Sequence, residues 1–443
     1  MQILLVGNGA REHALAEALS RSPQKPELFS FGAKLNPGLT KLATETALAE
    51  LTDLSALEKF AQKITPDLAL IGPEAPIVAG ATDTLKQLGI PVVAPTQKLA
   101  QLESSKSFTR ALLQKYNIPG NPSFTVFEKE NFNPTCLQRL LESLDEKFVV
   151  KADGLAGGKG VKVVGEHLSG ITDGTHYVKQ CLERDGRVVI EEKLNGEEFS
   201  AMFLTDGETL AALPIVQDHK RAFEEDKGPN TGGMGSYSTE THTLPFLEPA
   251  DLQAAREITE KVLRALQQET GETFRGVLYG GFMATASGVR LIEYNVRFGD
   301  PEALNILPIL ETDFVAVCQA ILQGTLKDLP LKFSPQATVC KYAVPFGYPL
   351  SPQMNAAIKI GSLPPNCQVF YADVTRDSAG VLRTGSSRAL AFVGIADNLT
   401  AAEQIAEAGV QKVEGPLRHR RDIGTPNLLE QRLRHMQQIR PVL

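Results

Sequence analysis

The chain has 443 residues, with 45 lysines and arginines against 52 aspartates and glutamates, for a net charge of −7. At about 150 residues per domain this length suggests roughly three domains and several buried sheets. The acidic balance and the absence of a lysine/arginine block argue against nucleic acid or an anionic membrane surface as a partner.

The densest basic run, Arg418-His419-Arg420-Arg421, is expected to be a solvated turn or strand end rather than a binding element. Five cysteines, Cys136, Cys181, Cys318, Cys340 and Cys367, form no C-x-x-C pair, which points away from zinc and disulfides and towards reduced thiols in a cytoplasmic protein. Met1 leads directly into Ile3-Leu4-Leu5-Val6 without an export signal, and no window holds the ~18 uninterrupted apolar residues of a membrane span.

In chain order, the first hundred residues alternate strands (Ile3 to Val6, Leu68 to Ile71, Pro91 to Val93) with helices (Glu12 to Ser20, Leu54 to Gln62), a parallel βαβ layout. The amphipathic stretch Glu103 to Tyr116 ends at Pro119-Gly120-Asn121-Pro122, and a domain boundary is placed near residue 102. Strands at Phe148 to Lys151, Val161 to Val164, Val188 to Leu194 and Phe199 to Leu204 read as antiparallel hairpins with tight turns. A second hairpin, Val277 to Thr285 and Val289 to Asn295, pivots on Ala286-Ser287-Gly288, and an apolar helix is expected from Ala303 to Leu322. The last hundred residues mix strands with a helix over Ala401 to Val413.

Five segments carry candidate chemistry. Gly7-Asn8-Gly9-Ala10-Arg11-Glu12 follows a strand and opens a helix, where backbone N–H groups face a phosphate. A dinucleotide site would want glycine at Glu12 and an acid at the end of the second strand; neither is present, so a sugar phosphate is preferred to NAD. A tight turn that binds nothing explains the same residues. Lys151 ends a strand and precedes the glycine-rich run through Gly154, Gly157, Gly158, Lys159 and Gly160. A Walker A loop needs Ser or Thr after its lysine and then a helix; here Gly160 and a strand follow, which suits a hairpin lying over a nucleotide's phosphates.

Glu191, Glu192, Leu194 and Glu198 fit an edge strand whose backbone meets a purine rim while a carboxylate takes ribose hydroxyls, although an exposed charged strand fits equally well. Glu293 and Asn295 project from one strand face as hard oxygen ligands for magnesium, and Arg297 offers a rigid fork for carboxylate or phosphate. Gln217 to Arg221 and Gly228 to Gly235 are too polar and glycine-rich for a core and suit a mobile loop closing on a small anion; a lone His219 is more often structural than catalytic.

The order of these segments resembles the ATP-grasp superfamily. More closely, GNGAREHALA, GPEAPIVAG, VVKADGLAGGKGV, QDHKR, GPNTGGMGSYS, EYNVRFGDPE and RRDIG resemble the glycinamide ribonucleotide synthetase family across nearly the whole chain. Departures are Ala10 where glycine is common, Ala222 to Asp226, and Gly385-Ser386-Ser387-Arg388 in place of a double-glycine turn.

The resemblance implies a mixed α/β and α+β fold: a Rossmann-like βαβ domain (1–102), an ATP-grasp domain (103–330) with a hairpin lid near 120–190, and a C-terminal domain (331–443). It implies that ATP activates glycine as an acyl phosphate and that 5-phosphoribosylamine displaces phosphate. Lys106, Lys151 and the loop through Gly160 would hold phosphates, Glu191 to Leu194 adenine, Glu198 ribose, and Glu293 and Asn295 Mg2+ or Mn2+. Arg297, Asp218 and Lys220 would act at the reacting groups. Gly7, Asn8, Gly9, Arg11, Glu74, His219, Asn230, Thr231, Gly232, Gly233, Met234, Gly299 and Asp300 would frame the substrates. The partners implied are these small molecules, acting on a monomer. The nearest alternative is another ATP-grasp carboxylate–amine ligase with a different acid or amine; a dinucleotide-dependent oxidoreductase and a non-catalytic nucleotide sensor are the readings from other classes.

Overall fold

The computed structural model describes residues 1–155, 157 and 160–440. Five parallel strands open it, in the order Ala43–Leu48, Glu27–Gly32, Gln2–Val6, Leu68–Ile71, Val92–Val93. Ile3, Leu4, Leu5 and Val6 are all buried because both faces of a parallel sheet are covered. The chain reverses its winding between Gln2–Val6 and Leu68–Ile71, and the helices that follow these two strands, Ala10–Ser20 and Glu74–Ala79, carry Arg11 and Glu74 in their first turns.

The stretch read as one amphipathic unit from Glu103 is two helices, Gln101–Ser104 and Lys106–Lys115, separated at Ser105, whose hydroxyl accepts the Phe108 N–H as an N-cap. A four-stranded antiparallel sheet follows, ordered Phe124–Glu128, Arg187–Glu192, Phe148–Ala152, Val161–Val163. It has its own core, with Leu137, Phe148, Val178 and Cys181 packed between sheet and helices. Two features differ from expectation. The link from Val163 to Arg187 is not a tight turn but carries the helix Ile171–Asp185. The strand Arg187–Glu192 is not an edge: it pairs on one side with Phe124–Glu128 and on the other with Phe148–Ala152.

The next sheet is ordered Leu210–Ala212, Gly196–Thr205, Gly276–Thr285, Gly288–Asn295, and contains the expected hairpin. The apolar helix expected from Ala303 is interrupted: Glu302–Ile306 passes into a short 3-10 turn Leu307–Ile309 containing Pro308, and a second helix, Phe314–Gln323, starts at the Asp313 cap.

The polar stretch expected to be a mobile loop is ordered. Gln217–Asp218 and Gly235–Ser238 are strands, and Gly235–Ser238 pairs with Ala337–Pro345 in a sheet that continues through Leu390–Ala396 and Cys367–Tyr371. Residues either side of 330 therefore share one sheet. Gln217 is buried and bonded: Tyr237 donates to Gln217 Oε1 at 2.5 Å, and Gln217 Nε2 donates to the Glu198 carbonyl at 3.0 Å. The basic run leaves the end of the short strand Leu417–Arg418, the strand end expected, and Arg421 is exposed, but Arg420 is 1% exposed and pairs with Asp226 and Asp422. Among the described residues, no helix is long and apolar enough to cross a membrane.

Candidate active site

The sheets converge on a cleft of about 970 Å³ lined by Lys106, Lys151, Glu198, Lys220, Glu293, Asn295 and Arg297, residues that lie up to nearly two hundred positions apart in the chain. On one wall, Lys151 rises from the buried strand Phe148–Ala152, its Nζ 2.7 Å from Glu191 Oε2. Glu191 also takes both arms of the Arg110 guanidinium, at 2.6 and 3.0 Å, and all three side chains are buried. Burial, with Arg110 alongside, pushes the Lys151 pKa down while Glu191 opposes that fall. Glu191 thus orients the lysine and presents no free carboxylate. Its neighbour Glu192 accepts the Ser123 N–H and does not line the cleft.

Gly154, Leu155 and Gly157, from the glycine run, line the cleft. Gly154 and Gly157 have φ of +146° and +53°, and a Cβ on either would meet nothing within 4 Å, so the backbone borders open space, as an approach to phosphate requires. Lys106 Nζ donates to the Gly154 carbonyl at 2.9 Å. Gly160 lies at the hairpin's base, its carbonyl accepting the Ala152 N–H. Gly158 and Lys159 lie outside the described residues.

Opposite, the strand Gly288–Asn295 breaks register against Gly276–Thr285: Gly281 faces Glu293 but Phe282 faces Leu291, leaving Ile292 as a bulge. Its carbonyl accepts from both Arg110 Nη2 at 2.7 Å and Lys151 Nζ at 3.0 Å, which couples this strand to the lysine wall. Beyond the bulge Glu293 and Asn295 share the cleft face. Burial alone would raise the Glu293 carboxyl, but Lys220, Lys106, Lys151 and Arg297 outweigh it and hold the pKa at about 2. An ionised carboxylate beside an amide oxygen fits a magnesium site that relies on waters and substrate phosphates for its other ligands. Among the described residues no group of three or more His, Cys, Asp or Glu offers a fuller cage.

Arg297 is tied to Glu74 and Glu103 at 3.0 Å each and to Asn295 Oδ1 at 2.9 Å. Glu103 also accepts the Val296 N–H at 2.7 Å, so the end of the strand Gly288–Asn295 is pinned to the helix preceding Lys106. Lys220 sits 3.6 Å from Glu293 and 3.7 Å from Glu198; burial opposes its charge, but these carboxylates win and its pKa is raised.

At the inner end of the cleft, Asp218 is pushed well up by burial and by Glu302, and its buried Oδ1 finds no partner among the described residues. Gly233, at φ +107°, packs against it: a Cβ there would lie 2.7 Å from that oxygen. Asn230, Thr231, Gly232, Gly299 and Asp300 line the cleft; Gly233 and Met234 do not, and Met234 is fully buried. His219 is 2% exposed and burial, aided by Arg420 and Arg432, drives its pKa down to about 3, so it stays neutral. Arg388, noted in the sequence only as part of a departure, lies over the Tyr342 ring and donates to the Gly232 and Gly233 carbonyls.

At the amino-terminal turn, Glu12 fills the space the missing third glycine would leave. Its carboxylate accepts the Gly9 N–H at 2.6 Å, and a Cβ on Gly7 or Gly72 would collide with it at 2.5 or 2.0 Å. Asn8 Oδ1 accepts the Ala33 N–H. Gly7, Asn8 and Gly9 do not line the cleft; Arg11 and Glu74 do, with Arg11 donating to the Phe298 carbonyl at 3.0 Å.

Comparison with known proteins accounts for this arrangement across the chain. The N domain of phosphoribosylglycinamide synthetase matches residues 1–103, its ATP-grasp (A) domain residues 104–303, and its C domain residues 338–426. Proteins named phosphoribosylamine–glycine ligase from Methanosarcina barkeri and Methanocella arvoryzae are 43% and 44% identical over 440 residues, covering 99% of this chain and 100% of each relative. A crystal structure of phosphoribosylamine–glycine ligase from Thermotoga maritima superposes with a TM-score of 0.79 at 29% identity, covering 95% of this chain and 100% of that one. A biotin carboxylase from Campylobacter jejuni, at 12% identity and a TM-score of 0.72 over 98% of this chain and 95% of that one, shares the fold alone. The chain belongs to the phosphoribosylglycinamide synthetase family, with the ATP-grasp fold at its centre.

Proposed function

We propose that this chain is an ATP-dependent ligase that joins glycine to 5-phosphoribosylamine, forming glycinamide ribonucleotide for purine synthesis. The observation carrying the reading is the meeting, in one cleft, of Lys151 and an open glycine hairpin with an ionised Glu293 and Asn295. Full-length relatives bearing the name phosphoribosylamine–glycine ligase support the choice of substrates.

In the first step a glycine carboxylate oxygen attacks the γ-phosphorus of ATP and ADP leaves, giving glycyl phosphate. In the second, the amine nitrogen of phosphoribosylamine attacks the acyl carbon, the C–O bond to phosphate breaks, and the amine gives up a proton. Lys106, Lys151 and the hairpin from Gly154 through Gly160 hold the phosphates; Lys193 and Leu194, just past the internal strand, border the adenine; Glu198 takes the ribose. Mg2+, with Mn2+ as the alternative, would be held by Glu293 and Asn295 and would neutralise charge on the transferring phosphoryl group. Glu191 and Arg110 position Lys151 without touching substrate.

Arg297, Asp218 and Lys220 serve the reacting groups, and a substrate carboxylate reaching Arg297 competes with Glu74 and Glu103 for its donors. Asn230, Thr231, Gly232, Gly299 and Asp300 frame the glycine end, and Arg11 and Glu74 the sugar phosphate. The same reading takes the three regions bounded near 102 and 330 as domains and the enzyme as a cytoplasmic monomer. Phosphate release from Mg-ATP, measured while glycine and freshly generated phosphoribosylamine are omitted in turn, tests the assignment. Release should require both; release that ignores glycine would leave an ATP-using enzyme with a different acid.

A further inference from the structure

The matched family regions end at residue 426, yet the chain continues as a capped helix, Pro426–Ile439, which starts at Thr425 and returns across the molecule to the cleft. Two of its basic side chains, and Arg440 that caps its end, reach across to other elements. Arg432 pairs with Asp226 and lies 3.4 Å from Glu197 Oε2. His435 Nδ1 lies 2.6 Å from Glu197 Oε1, and its Nε2 lies 3.2 Å from Asn195 Oδ1. Arg440 forks onto Asp251 at 2.9 Å through both arms and donates to the Thr285 carbonyl, at the turn of the metal-strand hairpin.

The anchors are not scattered surface residues. Asn195 and Glu197 flank Gly196 at the start of the strand that carries Glu198, immediately after Lys193 and Leu194. This is the short connection between the lid sheet and the central sheet, where a nucleotide base and ribose would lie. Glu197 is 5% exposed, and both of its oxygens face side chains of the terminal helix. Arg432 and Asp226 themselves line the cleft. A surface ion pair would contribute little, but here a buried carboxyl takes a 2.6 Å contact from His435 and a longer 3.4 Å ion pair from Arg432, both on one helix, which ties the segment around Glu197 to that helix.

We infer that the terminal helix is a strap that completes the nucleotide end of the cleft, with Arg432 and His435 as positioning residues for the segment from Leu194 to Glu198. The inference rests on the ATP reading above. Through Glu197 and Asn195 the strap sets the register of the connection that meets the base and ribose; it makes no contribution to the phosphoryl step. Loss of either residue therefore weakens ATP binding and leaves the chemistry of bound substrates intact.

The test uses the full-length chain with Arg432→Ala, His435→Ala and the conservative Arg432→Lys and His435→Gln. Melting temperature, the Kd of a fluorescent ATP analogue with Mg2+, and KM and kcat for each substrate are measured on all of them. Each alanine variant should raise the ATP Kd and KM about tenfold, with glycine KM and saturating kcat within about twofold of wild type. The conservative variants should recover most of that loss. An unchanged ATP Kd in the folded alanine variants overturns the inference while leaving the ligase reading in place. So does a parallel fall in kcat, glycine affinity and melting temperature, which marks a merely structural helix. Wild-type protein that binds no ATP sinks both.

Discussion

Replacing Glu191 with alanine isolates the electrostatic core of the proposed phosphate site. The Glu191 side chain is 4% exposed and answers two cations, Arg110 at 2.6 Å and Lys151 at 2.7 Å, whose side chains are 3% and 6% exposed. Without it, Arg110 and Lys151 remain buried beside one another with the Ile292 carbonyl as their shared acceptor. Breaking a buried pair by removing one partner costs about 3–5 kcal/mol, which urea unfolding of the full chain should register. Lys151 relieves part of that cost by losing its proton, since burial and Arg110 already depress its pKa and Glu191 is the main group holding it up. A neutral lysine forfeits a charge-assisted bond to phosphate of about 1.5–3 kcal/mol, so the KM for ATP should rise about ten- to a hundredfold. The pH dependence has opposite signs for the two readouts. Lowering the pH restores the Lys151 proton and so recovers ATP affinity, but it lowers stability, because the folded variant binds fewer protons than the unfolded chain. An ATP KM within about twofold of wild type, with unfolding changed by less than about 1 kcal/mol, would refute the reasoning.

Two further outcomes follow from the site. Gly233→Ala should cost about 1–3 kcal/mol and raise the glycine KM, because a Cβ at φ +107° would sit 2.6 Å from Pro301 Cδ and 2.7 Å from Asp218 Oδ1; unaltered kinetics would remove Asp218 from the glycine end. Acid should destabilise the protein between pH 4.5 and about 2, as Glu74, Glu293 and Glu407 titrate. Their folded pKa values lie below the unfolded ones, so their stabilisation is present above pH 4.5 and lost as pH falls, and a stability flat through that window would contradict the assigned pairings.

Much of this site was readable because it depends on local order along the chain. A lysine ending a strand before a glycine run, and a carboxylate two residues from an amide on another strand, keep their spatial relation whatever surrounds them. What escaped depends on partners far away in sequence. Arg110 falls on the same helical stripe as Lys106 and Leu113, an odd place for an arginine, but its partner Glu191 lies 81 residues on. The strand Arg187–Glu192 looked like an edge because Phe124–Glu128, which covers it, is short and follows a proline-rich turn. Composition alone reads Gln217 to Gly235 as a loop, but its partners are distant in sequence: Gln217 bonds Tyr237 and the Glu198 carbonyl, Lys220 faces Glu198 and Glu293, and Gly235 pairs with Lys341. Pro308 was the overlooked signal for the break after Ile306. Arg432 and His435 lie beyond the last recognisable motif, and only folding brings Arg432 to the cleft and His435 to Glu197.

The most direct measurement follows the carboxylate oxygen. With glycine labelled by 18O at both carboxylate positions, activation through glycyl phosphate predicts that each inorganic phosphate released during amide formation carries one 18O atom. Phosphate that emerges unlabelled while the amide is formed would contradict carboxylate activation by ATP, and with it the account of the cleft as a ligase active site.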